Sequence, residues 1–66
     1  MDATTTWLDF TVEYHGSLVL VEPQNKAAAA HLRWHTDGQW LGKALVVERR
    51  YLHNLLDGLR ADGFHV

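Results

Sequence analysis

Cysteine is missing from these 66 residues, so disulfides and thiolate zinc sites are excluded from a chain short enough to need a staple. Serine occurs once, at Ser17, and the usual covalent nucleophiles are therefore nearly absent. No glycine-rich phosphate loop or spaced carboxylate pair is present. A chain this short also has little material for a concave pocket of about 300 Å3 or more. Catalysis is not expected, and neither is a cofactor.

Long apolar runs are lacking too. A membrane span needs roughly 20 apolar residues, and the first residues lack the basic start and apolar stretch of a signal peptide. The reading is a cytoplasmic protein without membrane contact. Charge of one sign is equally scarce. Six Lys and Arg against eight Asp and Glu give a formal charge of −2, and the cations are scattered. Nucleic acid, which is held mainly through its phosphates, is not expected as a partner.

What is present is the composition of a globular domain: 47% hydrophobic residues, three tryptophans and a single proline. Residues 1–66 should form one domain, with stability near the lower limit, because chains of about 60 residues bury only about 60% of their unfolded surface.

Alternation from Leu8 to Tyr14 predicts a half-buried strand, and the β-branched run Ser17 to Glu22 predicts a second. Gly16 supplies the positive φ of a tight hairpin between them. A loop of His15 and Gly16 would pair Tyr14 with Ser17, Val12 with Val19 and Phe10 with Val21. Leu18 and Leu20 then lie on the other face, beside Glu13 and Thr11, and stay exposed unless something covers them. Pro23 ends the strand, and Asn25 should cap a helix from Lys26 to His35 whose alanines allow close packing. Trp40 to Glu48 reads as a third strand, apolar on both sides from Ala44 to Val47 and hence central or covered.

Leu52, Leu55, Leu56 and Leu59 form one stripe of a last helix, with Asn54, Asp57 and Arg60 pointing away. Gly63 and Phe64 fit the C′ and C″ positions of a Schellman ending, and Gly58 inside the helix suggests a close approach by another element. His65 and Val66 could add a short tail strand. The expected fold is α+β, order ββαβα, with a three-stranded, mainly antiparallel sheet and two helices on one face.

The segments Val12–Ser17 (VEYHGS), Trp40–Tyr51 (WLGKALVVERRY) and Ala61–Phe64 (ADGF) resemble a group of short proteins encoded in bacterial genomes, prophages and plasmids. The resemblance covers most of the chain through strand, turn and cap motifs. It implies mobile-element company and carries over no functional residue.

Three constellations could carry function. His31 and His35, four apart on a helix, share a face, and Asp37 could add an oxygen to a metal site there. The zinc-protease pattern with that spacing needs a glutamate after the first histidine; here that residue is Leu32. The plainer view is solvated histidines near a helix C-terminus, where positive charge is welcome. Arg49 and Arg50 could hold an anion at a helix N-terminus, against the alternative that Glu48 pairs with one of them. Trp7, Trp34 and Trp40, with Leu18 and Leu20, exceed what a small core needs and point to a partner surface. Against this, the indoles could wrap the edges of the core.

The sequence thus reads as a non-enzymatic protein-binding module, self-associating as a homodimer. Mobile-element company would suit an accessory protein that binds and blocks a host factor, such as an inhibitor of host defence. The alternatives are a histidine-based metal-binding protein and a weak nucleic-acid binder.

Overall fold

The computed structural model describes residues 3–35 and 38–66, the side chain of His35 excepted. The architecture is α+β: one open antiparallel sheet with two helices packed on one of its faces. In chain order the elements are β1 (Ala3–Thr6), β2 (Phe10–His15), β3 (Leu18–Pro23), α1 (Lys26–His35), β4 (Gln39–Leu41), β5 (Ala44–Glu48) and α2 (Arg49–Ala61). The sheet has five strands in the order β1-β2-β3-β5-β4, not the expected three, so ββαβα becomes βββαββα.

Two elements account for the difference. Ala3–Thr6 forms an edge strand whose four residues are all exposed, and a strand without a buried side leaves no hydrophobic alternation to read. The stretch read as one strand from Trp40 is a hairpin, in which Leu41 pairs with Ala44 around Gly42 and Lys43. Gly42 has φ 60°, which glycine adopts without strain at the first position of such a loop. Both arms are apolar, so the turn is hidden inside a hydrophobic run. β5 lies between β3 and β4, the central place its two-sided apolar character calls for.

The first hairpin also corrects the expected register, and β2 begins at Phe10 rather than Leu8. His15 pairs with Leu18, Tyr14 with Val19 and Val12 with Val21, a shift of two residues. The expected loop would put His15 first and require positive φ there. Placing Gly16 (φ 63°) first leaves no described non-glycine residue at positive φ. A two-residue shift preserves faces, so Phe10, Val12 and Tyr14 still point one way with Val19 and Val21.

That side is the core. Phe10, Val12, Val19 and Val21 are fully buried with Ala28 and Leu32 of α1, and Leu45, Leu52 and Leu59 join them. Asn25 caps α1, accepting the Ala28 N–H at 2.8 Å. α2 ends as a Schellman motif: the Phe64 N–H bonds the Leu59 carbonyl and the Gly63 N–H bonds the Arg60 carbonyl, both at 3.1 Å, with Gly63 at φ 93°. Phe64 then packs edge-on against Phe10, with centroids 5.7 Å apart. His65 and Val66 form no strand; the His65 N–H instead bonds the Asp9 carboxylate at 2.8 Å. Around Gly58 no described part of the chain comes within 4 Å of where a Cβ would stand, so it accommodates no intramolecular neighbour.

Candidate binding face

The alternation that sends Val19 and Val21 into the core sends Leu18, Leu20 and Glu22 out of the opposite face of β3. Across β5, Val46 stands directly opposite Leu20 and Glu48 opposite Leu18. Across β2, Glu13 stands opposite Leu20 and His15 opposite Leu18. On the β4 hairpin, Leu41 and Ala44 form a pair on the same outward side. The result is an apolar strip, Leu18, Leu20, Val46 and Leu41, running over β3, β5 and β4.

Both helices lie on the other side, so no described element covers this strip. Leu41 is 63% exposed and Leu18 43%, while Leu20 and Val46 are half-buried by their neighbours in the sheet. Glutamates border the strip. Glu13 is hydrogen-bonded to His15, Glu48 pairs with Arg50 at 3.0 Å, and Glu22 has no ion pair among the described residues.

The residues expected to carry a partner surface are dispersed. Leu18 and Leu20 lie on the open face, whereas Trp7 and Trp40 are half-buried against the core on the helix side. Arg33 lies over the Trp40 ring at 5.0 Å, and Trp40 pairs across the sheet with the core residue Leu45. Trp34, on α1, is 83% exposed and belongs to neither set. Leu41 and Val46 escape the sequence pattern because the Gly42–Lys43 turn lies inside an apolar run that reads as one strand; their signal is that turn, flanked by apolar residues on both arms.

Arg49 and Arg50 line a hollow of about 410 Å3 at the start of α2, together with Ser17 and Glu48. Each already has partners. The Arg49 N–H donates to the Ser17 carbonyl at 2.8 Å and its guanidinium lies 5.1 Å from the Tyr14 ring centroid, while Arg50 pairs with Glu48 and covers Tyr51. The Glu48 carboxylate in the same hollow opposes an incoming anion.

Of the expected metal ligands, Asp37 and the side chain of His35 lie outside the described residues. His31 is engaged: its Nε2 lies 2.9 Å from Asp62 and its ring lies tilted against Phe64, with centroids 4.7 Å apart, which ties α1 to the end of α2. Among the described residues no group of three or more His, Asp or Glu could hold a metal ion.

Asp9 forms a second tie. Its carboxylate accepts the His65 N–H and the Asn25 amide, both at 2.8 Å, and its carbonyl accepts the Gln24 N–H at 2.8 Å. The His65 backbone bond, with the Asn25 amide, holds the carboxyl below its ordinary value of 3.8, since both donors favour the ionised form.

Compared with family models, curated proteins and solved structures, the chain finds no match. Among the described residues no helix is long and apolar enough to cross a membrane.

Proposed function

We propose that this chain is a cytoplasmic protein-binding module that acts through the open face of its sheet rather than by catalysis. The observation that carries the reading is the uncovered strip of Leu18, Leu20, Val46 and Leu41, opposite the helix layer. Water against leucine is unfavourable by about 25 cal/mol per Å2, so a strip of this kind on a small domain marks a place where another surface docks. Its position on strands favours recognition, because paired strands hold side chains in fixed rows and little order is lost on docking. By association alone, mobile-element company suits a role in binding and blocking a host factor.

The test is capture of partners from source cells on immobilised wild-type chain and on Leu41→Lys, with sedimentation over a wide concentration range to detect self-association. Leu41 is exposed enough for the lysine to be tolerated by the fold. A partner, or a concentration-dependent mass, that is lost in the variant at unchanged Tm supports the reading. Identical partners and identical mass for both chains would refute it.

A further inference from the structure

β1 is an edge strand, and no described strand pairs with its outer side. Which of its backbone groups face outward follows from the hairpin that joins it to β2. The Trp7 N–H donates to the Phe10 carbonyl at 2.8 Å, and the register continues through Thr6 with Thr11, Thr5 with Val12, Thr4 with Glu13 and Ala3 with Tyr14. Hydrogen-bonded pairs alternate along an antiparallel ladder, so Trp7, Thr5 and Ala3 direct their N–H and C=O groups to β2. Thr4 and Thr6 turn theirs to the open edge.

That edge lacks the usual devices against strand addition. Ala3–Thr6 holds no charge, no proline and no glycine, and threonine is a residue that strands favour. Shortness is its one protection. At the opposite edge β4 has only three residues, and Arg33 lies over the ring of its middle residue, Trp40.

We propose that β1 pairs antiparallel with β1 of a second copy, about a two-fold axis at Thr5, so that the two sheets become one. In this register Thr4 of each copy stands opposite Thr6 of the other, and every outward N–H and C=O of the two strands finds a partner. The side chains select this occupant over another strand. Thr5 meets its own mate in a close, non-hydrogen-bonded pair, and threonine facing threonine is a favourable cross-strand neighbour. Ala3, the smallest residue of the strand, comes opposite Trp7 of the second copy. The row on the helix side then reads Tyr14, Ala3, and Trp7 and Phe10 of the second copy, which gives the half-buried Trp7 indole an apolar neighbour on its open side.

Charge does not oppose the joint. The row through Glu13 continues to Thr4, then to Thr6 and Thr11 of the second copy, so the two Glu13 carboxylates stay at least three strand spacings apart. That is about 14 Å, beyond the roughly 8 Å over which exposed charges act at physiological salt. Pairing β1 with β4 of another copy would leave free edges and grow an open fibre, whereas β1 with itself closes at two copies. The joint is small beside the about 800 Å2 per partner of a standard interface, so the pairing is weak and fills only toward about 1 mM chain. It shares no residue with the open face and stands or falls separately from it.

Because the chain has no cysteine, a single introduced thiol reports on one position. Thr5→Cys should oxidise to a covalent dimer about tenfold or more faster than Thr4→Cys, since only residue 5 stands opposite itself and two residues at position 4 lie beyond the about 7 Å that a disulfide can span. In sedimentation the wild-type mass should climb toward the dimer by about 1 mM. Thr5→Lys, at an exposed position, should stay monomeric with the Tm of dilute wild type, and mixing it with Thr5→Glu should restore the dimer.

A wild-type monomer at about 1 mM would overturn the proposal. So would a dimer that persists in Thr5→Lys, or equal oxidation of the two cysteine variants. A dimer kept in Thr5→Lys but lost in Leu41→Lys would overturn the edge pairing and place self-association on the open face.

Discussion

Two glycines, one within α2 and one just beyond its end, should respond to the same substitution with opposite signs. Gly58 sits within the helix, four residues before the Asp62 cap, whose N–H bonds the Gly58 carbonyl at 3.1 Å. A Cβ added there meets nothing within 4 Å, so Gly58→Ala brings no clash and removes the conformational freedom that glycine has in the unfolded chain. The expected gain is about 0.5–1 kcal/mol, which in a domain of this size raises Tm by roughly 2–8 °C. Gly63 also has open space around it, but φ is 93°, a conformation L-residues avoid. Left-handed backbone costs a non-glycine residue about 1–2 kcal/mol, partly offset by the same unfolded-state effect, so Gly63→Ala should lose about 1 kcal/mol net. Thermal and urea unfolding followed by circular dichroism measure both. A lower Tm for Gly58→Ala would mean that something does approach that face of α2, and a gain from Gly63→Ala would mean that the Schellman ending is not formed as described.

Three further outcomes are expected. Leu32→Ala, at a fully buried position facing the sheet, should cost about 2–5 kcal/mol, enough to leave a domain near its stability limit largely unfolded at 37 °C; a cooperative transition near the wild-type Tm would contradict the core assignment. The Asp9 carboxyl, lowered in the folded chain chiefly by the His65 N–H, contributes stability that is present above pH 3.8 and lost as pH falls through its folded value. Urea midpoints of wild type and Asp9→Asn should therefore differ at neutral pH and converge below pH 3.8, whereas parallel curves would remove Asp9 from the account. Equimolar Zn2+ should leave Tm unchanged, because His31 is held by Asp62 and Phe64; a rise of several degrees that disappears in His31→Ala would establish a metal site instead.

The helices were readable because their signals are local. Asn25, the alanine run and the leucine stripe each act within a few residues, and α1 occupies Lys26–His35 as expected, while Gly63 and Phe64 close α2 as their spacing implies. The sheet was read in part. Alternation in β2 fixed which side chains share a face, but pairing depended on whether Gly16 stands first or second in its loop, a choice made by the conformation His15 would otherwise have to adopt. β1 carries no pattern because neither of its sides is buried, and Gly42 was hidden between two apolar arms. That last misreading had a functional cost. It left Leu41 and Val46 out of the candidate face, and it left Trp40 among the exposed anchors when the hairpin turns it toward the core side with Leu45.

The antiparallel pairing of β3 with β5 joins two pieces that are each continuous in sequence: a three-stranded meander before α1, and a hairpin after it. Four strand pairs, from Leu18 with Glu48 to Val21 with Leu45, stitch this joint on the backbone, extended by the Arg49 N–H on the Ser17 carbonyl. Leu20 and Val46 face each other across it. A ligand lying over those two side chains grips both pieces at once, as a splint spans a fracture, and it has no comparable grip on a chain whose halves have parted. Occupancy and folding are then one equilibrium. The chain resists unfolding and proteolysis in proportion to the concentration of whatever it binds, and its lifetime in a cell would report on that concentration.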